Sequence, residues 1–111
     1  MYLRVIRGKL KPGTWEDFEK SYLAVMEEVG PVEGLCGRWL TRDLDDPDSG
    51  TTISLWASAE AMQAYEASDL LKTRINPRLA PYFSGQYQTA RSHVRFAQGD
   101  PAPEEWVGTD N

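Results

Sequence analysis

Trp56, Arg4, Tyr65 and His93 are the side chains of this 111-residue chain best suited to chemistry, and each has a plain packing alternative. Trp56 ends the β-rich run Thr51–Trp56, immediately before Ala57-Ser58 and a segment rich in Ala and Glu. It therefore stands where a strand meets a helix. Its indole offers one N–H donor and a broad apolar face, so it either borders a pocket or seals a core. Alternation puts Arg4 on the same face as Trp56, on the strand expected to neighbour it. A cation there can pair with a phenolate or carboxylate of a small-molecule substrate, or with a glutamate of a covering helix. Tyr65 falls on a core-facing step of that helix and is the best placed of the phenols, ahead of Tyr22, Tyr82 and Tyr87. His93 is the one histidine and could act as a general base. It alternates with Arg91 and Arg95, which suits a solvent-facing or partner-facing position on the last strand.

Other chemistries lack their residues. One histidine and one cysteine, Cys36, cannot build a His-based metal site. Asp43, Asp45, Asp46 and Asp48 suggest calcium, but the glutamate that closes an EF-hand loop is missing: Ser54 and Trp56 stand at the candidate positions. The aspartates read as a solvated turn. There is no Gly-rich phosphate loop and no nucleophile elbow. Twelve Lys and Arg against 17 Asp and Glu give a net charge of -5, which argues against nucleic acid or an anionic membrane as partner. No apolar run approaches the roughly 20 residues of a membrane span. Arg4, Arg7 and Lys9 break up the N-terminal segment, so it is not a signal peptide. With a single cysteine, a cytoplasmic location is expected.

The elements that must position these groups follow from periodicity. Tyr2–Lys9 reads as a strand and Lys11-Pro12-Gly13 as a turn. Thr14 is expected to cap a helix whose Trp15, Phe18, Tyr22, Val25, Met26 and Val29 share one face, ending at Gly30-Pro31. Gly34–Arg42 and Thr51–Trp56 read as strands joined by the acidic Leu44–Gly50 connection. Cys36, in mid-strand, is expected to be a buried, inert thiol. Ser58 caps a second helix that turns Met62, Tyr65 and Leu70 inward. Pro77 and Pro81 predict a broken segment over Ser68–Phe83, a short helical piece followed by an extended approach, with Arg74 and Arg78 in a lid or on the surface. Gly85–Phe96 reads as the fourth strand. Residues 1–97 form one domain, and 98–111 an acidic, mobile tail carrying Trp106-Val107.

Strand, helix, strand, strand, helix, strand is the ferredoxin-like order βαββαβ, an α+β fold with a four-stranded antiparallel sheet and both helices on one face. Leu3, Val5, Ile53 and Leu55 would lie on the other face. A monomer avoids such an apolar surface, so the expected assembly is a homodimer with its sheets face to face, a dimeric α+β barrel.

The chain resembles the antibiotic biosynthesis monooxygenase-like family of that barrel superfamily. The resemblance rests on Lys11-Pro12-Gly13, Glu33-Gly34-Leu35, the Asp45–Gly50 loop, Ile53–Ser58, Ala64–Ser68 and the Pro-rich Asn76–Gly85 stretch. It implies a cofactor-independent monooxygenase, working without metal, flavin or haem on a small phenolic, quinol or enolic substrate. Trp56 matches the tryptophan that ends strand three in the oxygenase branch and would be catalytic, its N–H steadying an oxyanion or peroxide. Thr52 stands where that branch has asparagine, and Met62 where it has tyrosine. Arg4, Tyr65 and Thr52 would bind substrate. The haem branch carries asparagine where this chain has Ile6 and its axial histidine near Ile75, so haem degradation is disfavoured. The alternative is a non-oxidative isomerase or binding protein using the same cleft.

Overall fold

The computed structural model describes residues 1–98. Strand β1 (Tyr2–Lys9) leads through Lys11-Pro12-Gly13 to helix α1 (Trp15–Val29). Strands β2 (Leu35–Arg42) and β3 (Ser49–Trp56) follow, then helix α2 (Ala59–Glu66). A π-helical turn (Leu70–Ile75), a short helix α3 (Asn76–Leu79) and a 3-10 turn (Ala80–Tyr82) lead to strand β4 (Gln88–His93). The four strands lie in the order β2-β3-β1-β4, every pair antiparallel. This is the expected ferredoxin-like sheet, with β4 at one edge. The expected tail, Trp106 and Val107 included, lies outside the described residues apart from Gln98.

The helices cover one face. Trp15, Phe18, Tyr22 and Val25 turn inward from α1, and Met62 and Tyr65 from α2. Leu71, Ile75 and Leu79 complete the core above Trp56. The inward residue after α2 is Leu71 rather than Leu70, which is only half-buried, because the π-helical turn shifts the phase. The expected extended approach is also mostly helical. Pro77 and Pro81 each fall in the first turn of a short helix, where no N–H is needed, so neither breaks the segment.

The caps divide. Ser58 Oγ accepts from the Ala61 amide at 3.0 Å, as expected. Thr14 makes no cap: its hydroxyl turns back and donates to the Lys11 carbonyl at 2.7 Å, closing the preceding turn. Gly30, at φ 67°, ends α1 in a conformation that favours glycine. The fourth strand is shorter than expected, because the chain is still turning at Gly85, where φ is 87°.

The acidic connection is not simply solvated. Asp43 accepts two bonds from Arg7, Asp46 one from Lys9, and Asp48 one from the Gly13 amide. Cys36 is half-buried rather than buried. It is the extra residue of a bulge in β2, where the register shifts between Leu35 and Gly37.

Candidate active site

Three strand pairings fix the centre of the helix-facing surface. Arg4 stands opposite Ser54 on one side and Arg91 on the other, and Ser54 stands opposite Arg38. Residues directly paired across antiparallel strands share a face. Arg38, Ser54, Arg4 and Arg91 therefore form one row across all four strands. The next row is Leu40, Thr52, Ile6 and Thr89.

Above these rows lies a cavity of about 550 Å³. The sheet supplies its polar floor, including Arg4, Arg38, Thr52 and Ser54. Phe18 and Met26 of α1, Tyr65 and Glu66 of α2, and Leu71, Ile75 and Leu79 of the helical segment form walls and roof. The volume suits a small aromatic molecule, and a few polar groups set against apolar walls is the usual plan of a ligand pocket.

The charges do not balance. Glu66 is the carboxylate at the cavity, and one of its oxygens accepts from Arg4 Nε at 2.6 Å and from Arg91 Nε at 2.7 Å. The Arg4 and Glu66 side chains are 12% and 18% exposed, so this pair is shielded from solvent. Arg38 has no acidic partner among the described residues. Its Nη1 contacts the Met26 thioether sulfur, a weak acceptor, and its Nη2 is buried with no partner. A buried charged donor left unsatisfied costs on the order of 1–3 kcal/mol or more. Lys72 also borders the cavity. In a chain of net charge -5, this is a local concentration of cations.

Tyr65 sits between the two arginines: the guanidinium carbons of Arg4 and Arg38 are each 5.8 Å from its ring centroid. Burial pushes its phenol pKa up, and the two cations only partly offset that. Burial likewise pushes the neighbouring Tyr22 up to about 12, against the pull of Arg38. Both phenols stay protonated near neutrality and act as donors rather than bases.

Arg4, Tyr65 and Thr52 thus converge on one cavity. Arg4 pairs with a helix glutamate, one of its two expected partners, and also borders the cavity. Trp56 lies elsewhere. It is fully buried, does not border the cavity, and packs beneath Tyr65 with ring centroids 5.0 Å apart. Its Nε1 donates to Ser54 Oγ at 2.9 Å, so its contact with the cavity runs through that hydroxyl. His93 is exposed and stacks on Tyr2 with centroids 4.5 Å apart. Arg78 pairs with Glu28 at the surface. Arg38 and Ser54 were not singled out in the sequence. The glycines flanking Cys36 were the available signal, since glycine within a strand marks a bulge that reverses which residues face inward.

A second, more open hollow of about 590 Å³ lies between α1 and β2, and Tyr22, Met26 and Arg38 border both spaces. Its own polar groups are already engaged: Trp15 Nε1 donates to Glu19 at 2.8 Å, and Arg42 lies over the Trp15 ring. The inner cavity is the better candidate.

Several solved structures share the fold. A conserved protein from Methanosarcina mazei Go1 superposes with a TM-score of 0.73 at 20% identity, covering 86% of this chain and 94% of that one. An antibiotic biosynthesis monooxygenase gives 0.71 at 17% identity, covering 85% and 98%. A point mutant of SnoaB, a cofactor-independent oxygenase from Streptomyces nogalater, gives 0.69 at 17% identity, covering 90% and 96%. At these identities the likeness is one of fold. No curated protein matches the chain. Residues 1–75 match the family pattern described as antibiotic biosynthesis monooxygenase. That match takes in β1 through the π-helical turn, and with it Arg4, Arg38, Thr52, Ser54 and Tyr65, so the chain belongs to the antibiotic biosynthesis monooxygenase family.

Proposed function

We propose that this protein is a small monooxygenase acting on a phenolic, quinol or enolic substrate, without metal, flavin or haem. The observation that carries this reading is the row of arginines beneath an apolar cavity. Such a site favours the anion of an acidic C–H or O–H group and shields it from water. The substrate carbanion or enolate gives electrons to dioxygen, and a carbon–oxygen bond forms to give a peroxide. Loss of water then leaves a carbonyl, so a CH2 group and O2 become C=O and H2O.

Arg4 would face the oxyanion, with the Tyr65 phenol and Thr52 hydroxyl as further donors. Trp56 would hold Ser54 and Tyr65 in place from below. Glu66 is already shared by two arginines, so the substrate's own acidity, raised by the cations, would supply the anion. The second reading is a cleft that binds or isomerises without oxygen, and the shortage of a free base favours its binding form. Oxygen uptake with a panel of anthrones and hydroquinones, with and without a ring carboxylate, separates the two. The oxygenase consumes one O2 per anthrone faster than the buffer control; no uptake across the panel would overturn it.

The reading includes one domain over residues 1–97, a cytoplasmic location and a homodimer. Among the described residues no helix is long and apolar enough to cross a membrane. The sheet face away from the helices brings half-buried Leu3 and Val5 of β1 beside half-buried Ile53 and buried Leu55 of β3, with Trp39 of β2 opposite Ile53. A second copy offers the same surface and closes it by twofold symmetry. Sedimentation at micromolar concentration should give twice the chain mass, and Trp39→Glu half of that. A monomeric parent would rule the dimer out.

A further inference from the structure

We infer that Arg38 is the docking point for a carboxylate, so that the substrate is an aromatic or enolic acid rather than a neutral phenol. This rests on the reading of the cavity as a substrate site. The cations at the cavity are not equivalent. Arg4 and Arg91 already share Glu66, whereas Arg38 has no carboxylate among the described residues and a buried Nη2 without an acceptor. The only side-chain partner of its Nη1 among the described residues is the Met26 sulfur. A carboxylate entering the cavity replaces that weak thioether contact with a charge-assisted pair, which the planar guanidinium can make in bidentate form. The protonated phenols of Tyr22 and Tyr65 border the same cavity and supply neutral donors, while Glu66, the carboxylate at the cavity, is held by Arg4 and Arg91. Arg4 is left at the other side of Ser54 to face the reacting oxygen. Two anionic positions, one on each side of Ser54, thus define an acid whose carboxylate and reacting enol or phenol belong to one small ring system.

The test is binding, which needs no oxygen chemistry. Titration of the full chain with 1-hydroxy-2-naphthoate and with 1-naphthol, followed by calorimetry, compares two probes that differ by the carboxylate. The parent should bind the naphthoate at least about tenfold more tightly. Arg38→Met should bring the two affinities within about twofold of each other, chiefly through weaker naphthoate binding. Arg38→Lys should keep part of the preference. If Arg38→Met fails to fold, Arg38→Gln carries the same expectation. Equal affinities in the parent, binding of neither probe, or a preference that survives loss of Arg38 would each overturn the assignment. Failure of oxygen uptake with a retained naphthoate preference would instead remove the oxygenase and leave the carboxylate site standing.

Discussion

Arg4 and Arg38 stand on opposite sides of Ser54, each its direct cross-strand neighbour, yet only Arg4 has a carboxylate to meet it. The difference comes from the helices. α2 ends with Glu66 over β1 and β4, whereas α1 presents Tyr22 and Met26 toward β2. Glu66→Gln therefore tests the balance directly. It leaves Arg4 and Arg91 without their anion, and hydrogen bonds to charged groups contribute about 1.5–3 kcal/mol each when shielded. Arg91 is 50% exposed and should contribute little, so the expected loss is about 2 kcal/mol, read from urea midpoints. The same variant should bind 1-hydroxy-2-naphthoate several-fold more tightly, because a competing negative charge has gone. Unchanged stability with unchanged affinity would show that Glu66 is not what compensates Arg4.

Trp56 separates packing from chemistry. Trp56→Phe keeps a ring beneath Tyr65 but deletes the N–H that Ser54 Oγ accepts. The expected stability cost is about 1–2 kcal/mol, combining a lost hydrogen bond with a small cavity, against about 3–5 kcal/mol for Trp56→Ala. If the indole positions Ser54 for turnover, Trp56→Phe should slow oxygen uptake at least about tenfold while the naphthol affinity stays the same. A full rate in a folded Trp56→Phe protein would make the residue structural.

These contrasts mark where the sequence was readable. Alternation along β1 and β3 placed Arg4, Thr52 and Trp56 on one face, because those strands pair without interruption. The period of α1 gave its buried face for the same reason. Arg38 was hidden by the bulge. Leu35 pairs with Trp56 and Arg38 with Ser54, so both face the helices although three residues apart. Plain alternation from Leu35 would turn Arg38 outward. Trp56 was well placed but its partner was not legible: a hydrogen bond to a side chain two residues back in the same strand leaves no periodic trace. The helical run through Pro77 and Pro81 was missed because a proline reads as a breaker until its place in the first turn is known.

Gly50 tests how closely α1 sits on the sheet. It is buried, and an added Cβ would fall on the Thr41 carbonyl oxygen and within 2.6 Å of the Trp15 ring. The limit is space rather than backbone conformation. Gly50→Ala should lower stability by about 1–3 kcal/mol through overpacking. Adding Trp15→Phe should recover part of that loss, because the two sites touch and their effects will not add. Urea denaturation of the single and double variants measures both. Strict additivity would mean that Trp15 is not the obstacle.

The acidic connection predicts a pH dependence of known sign. Asp46 accepts from the Lys9 ammonium at 2.9 Å, from the Ser49 hydroxyl at 2.8 Å and from the Asp48 amide at 3.1 Å. The Lys9 bond is the largest cause, and together they hold its carboxyl at about 2. An unfolded aspartate titrates at about 3.9. Between those values the unfolded chain binds the proton more readily, so acid favours unfolding. The contribution of Asp46 is therefore complete above about pH 4 and disappears as the pH falls toward 2. Asp46→Asn carries no titrating group at this position. The gap in Tm between parent and variant should hold steady from neutral pH down to about 5, narrow below about 4 and nearly close at about 2. Salt should shrink the plateau, since the Lys9 and Asp46 side chains are 55% and 36% exposed. A gap that stays constant across that whole acid range would mean that the carboxylate does not fasten the β2–β3 connection to β1.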